Sequence, residues 1–126
     1  MPRFAVLDHD HPFRHWDFLL EAGDHLCAWR LLSVPRHGES IVAEPLPDHR
    51  PLYLDYEGPV GGNRGRVVRW DSGTFDWVSE NADEIRVTLH GGQILGTVTL
   101  RRTADGWTWQ WDYRGGNAAA GGGAGA

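Results

Sequence analysis

Glu84-Ile85-Arg86-Val87-Thr88-Leu89-His90-Gly91-Gly92 is the stretch that decides the fold class. Ile85, Val87 and Leu89 fall on one side and Arg86, Thr88 and His90 on the other, the period-two pattern of a half-buried strand. Gly91-Gly92 turns the chain, and residues 93–102 return as a second strand. Thr103-Ala104-Asp105-Gly106 turns it again into 107–113, where Trp107, Trp109 and Trp111 share a face. That stripe reads as barrel wall or core rather than a base-stacking platform.

Working outward, short strands are expected at 4–8, 15–21, 25–32, 40–44, 51–57, 65–70 and 74–78. Ala22-Gly23-Asp24 and Asp71-Ser72-Gly73 are read as turns, and 33–39 and 58–65 as loops. Pro45 and Pro47 are expected to end the strand at 40–44, and a helical turn is allowed at 79–83. No stretch keeps a long 3.6-residue period. The expectation is an all-β protein, an antiparallel barrel or sandwich. Residues 1–114 would form the domain and 115–126, built of Gly, Ala and one Asn, a disordered tail or linker.

The chain has 126 residues, a formal charge of -5, seven tryptophans and one cysteine, Cys27. Apolar area is ample for one core, and a lone cysteine excludes an internal disulfide framework. All twelve basic residues are arginine, a bias read as genomic rather than functional. The acidic balance argues against nonspecific wrapping of nucleic acid, which needs many neutralised phosphates, but leaves room for a basic pocket around one phosphate. No run is long and apolar enough for a membrane span, and the N-terminus turns acidic too soon for a signal peptide. A soluble cytoplasmic protein is the expectation.

The chemistry concentrates in His15-Trp16-Asp17, with His9 six residues earlier. On a strand, His15 and Asp17 point the same way, so an imidazole and a carboxylate meet as metal ligands with His9 as a third. His11 is read as a loop residue or a substitute for His9, and Asp8 and Asp10 as outer acceptors or plain surface acids. His49 and Tyr53, four apart, add an imidazole and a phenol. Such a set suits divalent-metal chemistry on an anionic substrate. His25, His37 and His90 are read as surface residues.

The segment His9-Asp10-His11-Pro12-Phe13-Arg14-His15-Trp16-Asp17-Phe18-Leu19-Leu20-Glu21 resembles the signature of the 3′-phosphoesterase domain of bacterial DNA ligase D. Asp48-His49 with Tyr53, Tyr56-Glu57-Gly58, Trp70-Asp71-Ser72-Gly73 and Leu95-Gly96-Thr97-Val98-Thr99-Leu100 followed by Trp107 resemble its later motifs, in order. The resemblance covers roughly residues 4–112. It implies a compact β-barrel with a metal pocket in a groove, Mn²⁺ (or Zn²⁺ or Co²⁺) on His9, His15 and Asp17, and His49 and Tyr53 beside the scissile phosphate. The implied activity removes 3′-phosphates and 3′-ribonucleotides from DNA ends during end-joining repair. Implied partners are primer-template 3′ ends and a repair ligase.

Two departures stand out. Family arginines fall at Leu19 and, eight residues before His49, at Ile41. A lost electrostatic donor at a reacting phosphate costs on the order of 2.7–4 kcal/mol. Arg14, Arg50, Arg64 and Arg66 are the candidate replacements. The competing expectation is a catalytically weakened module that binds nucleic-acid ends or a partner; a third keeps hydrolysis but acts on a smaller phosphoester.

Overall fold

The structure, a computed structural model, describes residues 1–113; the expected tail lies outside the described residues. The strands are β1 (Arg3–His9), β2 (His15–Ala22), β3 (His25–Leu31), β4 (Ser40–His49), β5 (Gly58–Pro59), β6 (Arg66–Glu80), β7 (Glu84–Gly91), β8 (Leu95–Thr103) and β9 (Gly106–Asp112). Every ladder is antiparallel. The order β1-β2-β3-β4-β9-β8-β7-β6 closes through β1–β6 pairing into an eight-stranded barrel, with the two-residue β5 added beside β6. No helix among the described residues is long and apolar enough to cross a membrane.

Both faces of β1 and β2 are buried, which is why these segments read as apolar runs rather than alternating ones. Phe4, Val6, Phe18 and Leu20 point into the barrel, where Trp29 and Trp109 join them. Phe18 packs edge-on against Trp109, with ring centroids 5.7 Å apart. The alternate residues Ala5, Leu7 and Leu19 form a second cluster outside the barrel, with Leu26, Ala28, Leu54 and Val67. The expected tryptophan stripe is core: Trp109 and Trp111 are buried, and Trp107 packs on the same cluster.

Four local expectations are corrected. Residues 51–57 do not form a strand: Pro51–Leu54 is a 3-10 helix, with proline in its first turn and Leu54 pressed into the outer cluster. β4 does not stop at Pro45 but continues to His49, because β9 pairs only with residues 40–43 and leaves the far half of β4 with one free edge, where proline costs no ladder bond. Asp71-Ser72-Gly73 is not a turn. It lies within the 15-residue β6, where that strand passes from pairing with β1 to pairing with β7. The Asp71 carboxylate is buried and accepts the backbone N–H groups of Gly92, Gln93 and Ile94, so it organises a different turn, the one between β7 and β8. At Gly73 a Cβ would meet the His90 carbonyl oxygen at 2.1 Å, so glycine serves close strand approach rather than turning. Residues 79–83 form no helical turn; Asn81 accepts the N–H groups of Asp83 and Glu84 and turns β6 into β7.

Candidate metal centre

His9 and His15 are direct partners in the β1–β2 ladder, and Asp17 follows two residues later on the same face. Their rings lie 4.8 Å apart between centroids. His15 and Asp17 are buried, and one donor atom from each of the three residues lies within 4.8 Å of the others. Strand register alone produces this convergence.

Backbone carbonyls set the histidine tautomers. His15 Nδ1 donates to the Phe13 carbonyl at 2.9 Å, and His9 Nε2 donates to the Arg64 carbonyl at 2.8 Å. The remaining nitrogens turn to one carboxylate: His9 Nδ1 is 3.0 Å from Asp17 Oδ2, and His15 Nε2 is 2.9 Å from Asp17 Oδ1. Despite that distance, Asp17 Oδ1 lies outside hydrogen-bond geometry and is a buried oxygen without a hydrogen-bonding partner. Imidazoles held by carbonyls on one nitrogen and converging with an under-bonded carboxylate on the other make a donor set that fits a divalent cation. Burial pushes the Asp17 carboxyl upward, but the imidazoles of His15 and His9 outweigh it and bring it from 3.8 to about 2. The Asp17 contact raises His9, against the opposing effect of burial.

The Arg64 carbonyl reaches His9 through a tight loop. Gly65 has φ +76°, and a Cβ there would lie 2.1 Å from Asp10 Oδ1 and 2.6 Å from the His11 Cβ. Only glycine permits this approach, which also lets Asp10 Oδ1 accept the Arg66 N–H at 2.8 Å.

His9 and Asp17 open onto an outer-face pocket of about 430 Å³ that also takes in His49, Arg50, Tyr53 and Arg64. His49 Nδ1 donates to the Pro47 carbonyl at 2.8 Å, leaving Nε2 for a ligand. Its ring stands edge-on to Tyr53, with centroids 5.8 Å apart, and the Arg50 guanidinium lies 6.0 Å from the Tyr53 ring. Arg64 Nε donates to the Gly61 carbonyl at 2.6 Å. His15 stands behind the pocket wall rather than on it.

The other two candidate arginines do not line this pocket. Arg14 is paired with Asp8 at 2.8 Å and lies over Trp16, on the strand face opposite His9 and Asp17. Arg66 is exposed, and its backbone rather than its guanidinium makes the contact with Asp10. Leu19 is fully buried in the outer cluster. Ile41 faces the barrel interior opposite Trp109. An even spacing from His49 would place both on one face of a regular strand. The irregularity between Leu46 and His49 turns His49 outward while Ile41 stays inside, so that count does not lead to the pocket. Sequence reading missed Pro47, Val60 and Val67 as pocket wall, because they carry no chemical signature.

Fold and site together define a small closed barrel with a His-His-Asp donor cluster set in an outer-face pocket. Residues 7–102 match the DNA ligase D 3′-phosphoesterase domain family, and the chain belongs to that family. It is 33% identical over 114 residues to the multifunctional non-homologous end joining DNA repair protein LigD of Mycobacterium tuberculosis, a match covering 82% of this chain and 15% of that protein. Against the multifunctional non-homologous end joining protein LigD of Pseudomonas aeruginosa it is 27% identical over 111 residues, 80% of this chain and 13% of that one. The chain thus spans only a small fraction of the curated relatives it matches.

Proposed function

We propose that the protein is a divalent-metal-dependent 3′-phosphoesterase that removes 3′-phosphates or 3′-ribonucleotides from DNA ends in repair, with Mn²⁺ as its metal and Zn²⁺ or Co²⁺ as alternatives. The carrying observation is the convergence of His9 Nδ1, His15 Nε2 and both Asp17 oxygens, with His9 and Asp17 opening onto a pocket that also holds His49, Tyr53 and two arginines. A bound divalent ion there supplies Lewis-acid polarisation of a phosphoryl oxygen. His49 Nε2 faces substrate as the proton-carrying group, its ring fixed by the Pro47 carbonyl. Tyr53 offers a phenolic hydrogen bond, and Arg50 and Arg64 offset phosphate charge in place of the residues at Leu19 and Ile41. The formal charge of -5 favours recognition of an end over wrapping of the duplex. Primer-template termini are the proposed substrate and a repair ligase the proposed consumer of the 3′-hydroxyl.

The apolar environment of Leu19 favours a second reading, a module of the same fold that binds ends without cleaving them. One assay separates the two. The protein is incubated with Mn²⁺ and a primer-template ending in a 3′-phosphate or a single ribonucleotide, with His15→Ala alongside. Release of phosphate or nucleoside, abolished in the variant, is the expected result. Metal uptake with no turnover replaces catalysis by the binding module; no uptake of Mn²⁺, Zn²⁺ or Co²⁺ removes the metal-dependent reading.

A further inference from the structure

We propose that His25, Cys27 and Asp48 form a second metal site, selective for a softer cation such as Zn²⁺, at the β3–β4 irregularity next to His49. Its three residues are distinct from the His9–His15–Asp17 cluster, although Asp48 also lines the pocket onto which that cluster opens, and the proposal does not depend on the activity proposed for that cluster.

The three side chains each present one donor atom, all within 4.8 Å of one another. His25 and Cys27 are two apart on β3 and share a face. Asp48 is brought to them by tertiary structure: β3 pairs Leu26 with His49 and Ala28 with Leu46, so Pro47 and Asp48 together stand opposite the single residue Cys27, one residue more than a regular ladder holds. Bulges re-aim side chains, and this one turns Asp48 toward β3. His25 Nδ1 lies 3.1 Å from Asp24 Oδ1 and donates to it, which leaves Nε2 as a lone-pair donor. That nitrogen is 3.7 Å from Asp48 Oδ2, too far for a hydrogen bond but suited to two ligands of one ion. The carboxylate–histidine pairing is the usual outer support of a metal-bound imidazole.

The donors set the metal preference. Thiolate, imidazole and carboxylate in three positions, with the fourth left to water, suit tetrahedral Zn²⁺, whereas Mn²⁺ gains little from sulfur. Burial, together with the carboxylates of Asp48 and Glu80, pushes the Cys27 thiol up, so it carries its proton in the metal-free protein. Binding therefore forms the metal–sulfur bond and releases that proton to solvent. The bound ion would tie β3 to the bulge immediately before His49, bracing the segment that carries the second site's nearest neighbour in the pocket.

The test loads the full chain with Co²⁺ under a non-chelating reductant and follows the near-ultraviolet thiolate-to-cobalt charge-transfer band. The band is expected in the native protein and in Asp17→Asn, absent in Cys27→Ser, and formed with at least about tenfold weaker affinity in His25→Asn and Asp48→Asn. Zn²⁺ should erase it at lower concentration than Mn²⁺. No band in the native protein, an unchanged band in Cys27→Ser, or equal displacement by Mn²⁺ and Zn²⁺ each overturns the proposal. Cys27→Ser is nearly isosteric, and circular dichroism of that variant separates loss of a ligand from loss of the fold.

Discussion

Replacing Asp17 by Asn removes the charge between two imidazoles while nearly keeping the side chain's shape. In the metal-free protein the carboxyl sits at about 2 against an ordinary 3.8. At about 1.4 kcal/mol per pH unit, that displacement corresponds to about 2 kcal/mol favouring the native state. His15 is the larger cause of the Asp17 shift and His9 the smaller; His9 is raised by its own share of that contact, so this share counts once. The depressed Asp17 contributes fully above its unfolded value of 3.8 and loses the contribution as pH falls through about 2. The raised His9 contributes fully below 6.5 and loses its contribution as pH rises through its folded value. The interaction is therefore fully present between about pH 4 and 6.5. In that window Asp17→Asn should cost about 2 kcal/mol, on the order of 8 °C in Tm for a domain of this size. The deficit should narrow toward both acid and alkaline pH. Mn²⁺ at a hundredfold excess over its Kd should then stabilise the native protein by about 2.7 kcal/mol and leave the variant unmoved. Thermal and urea unfolding at acid, mildly acid and alkaline pH, with and without Mn²⁺, measures both effects. Equal stability of the two proteins in the mildly acid window, or an equal Mn²⁺ shift in both, would refute the reasoning.

His49→Ala should reduce turnover by about 100-fold or more while Mn²⁺ affinity measured by titration stays constant; a parallel loss of metal binding would place the imidazole among the ligands instead. Tyr53→Phe should cost roughly tenfold in kcat/KM, the scale of one hydrogen bond to an anionic group, and an unchanged value would assign the phenol to packing. Gly65→Ala should push the 61–65 loop off Asp10, detach the Arg64 carbonyl from His9 and weaken Mn²⁺ binding by about 10–100-fold in calorimetry. Asp71→Ala strands three backbone donors and should lower urea stability by about 3 kcal/mol or more; a loss below about 1 kcal/mol would show that water takes over the role of the carboxylate.

What the sequence determined by itself was what neighbouring residues along one strand or one hairpin decide. Alternation at Ile85, Val87 and Leu89 and the glycine turns dictated an antiparallel all-β chain, and the regular β1–β2 hairpin turned the spacing of His9, His15 and Asp17 into a shared face. Tertiary structure decided whatever depends on a strand's second neighbour. Residues 71–73 read as a turn until β1 and β7 claimed opposite sides of one long β6, and residues 51–57 read as a strand until the outer cluster drew Leu54 inward as a 3-10 turn. That His49 and Ile41 face opposite ways follows from a local irregularity in β4 that residue counting cannot register, and Arg64 reaches the pocket from the loop before β6, far along the chain from His49. The physical reason is that side-chain direction is a local property only while the ladder is regular, and ladder irregularities and pairing exchanges are settled by contacts between segments far apart in the chain.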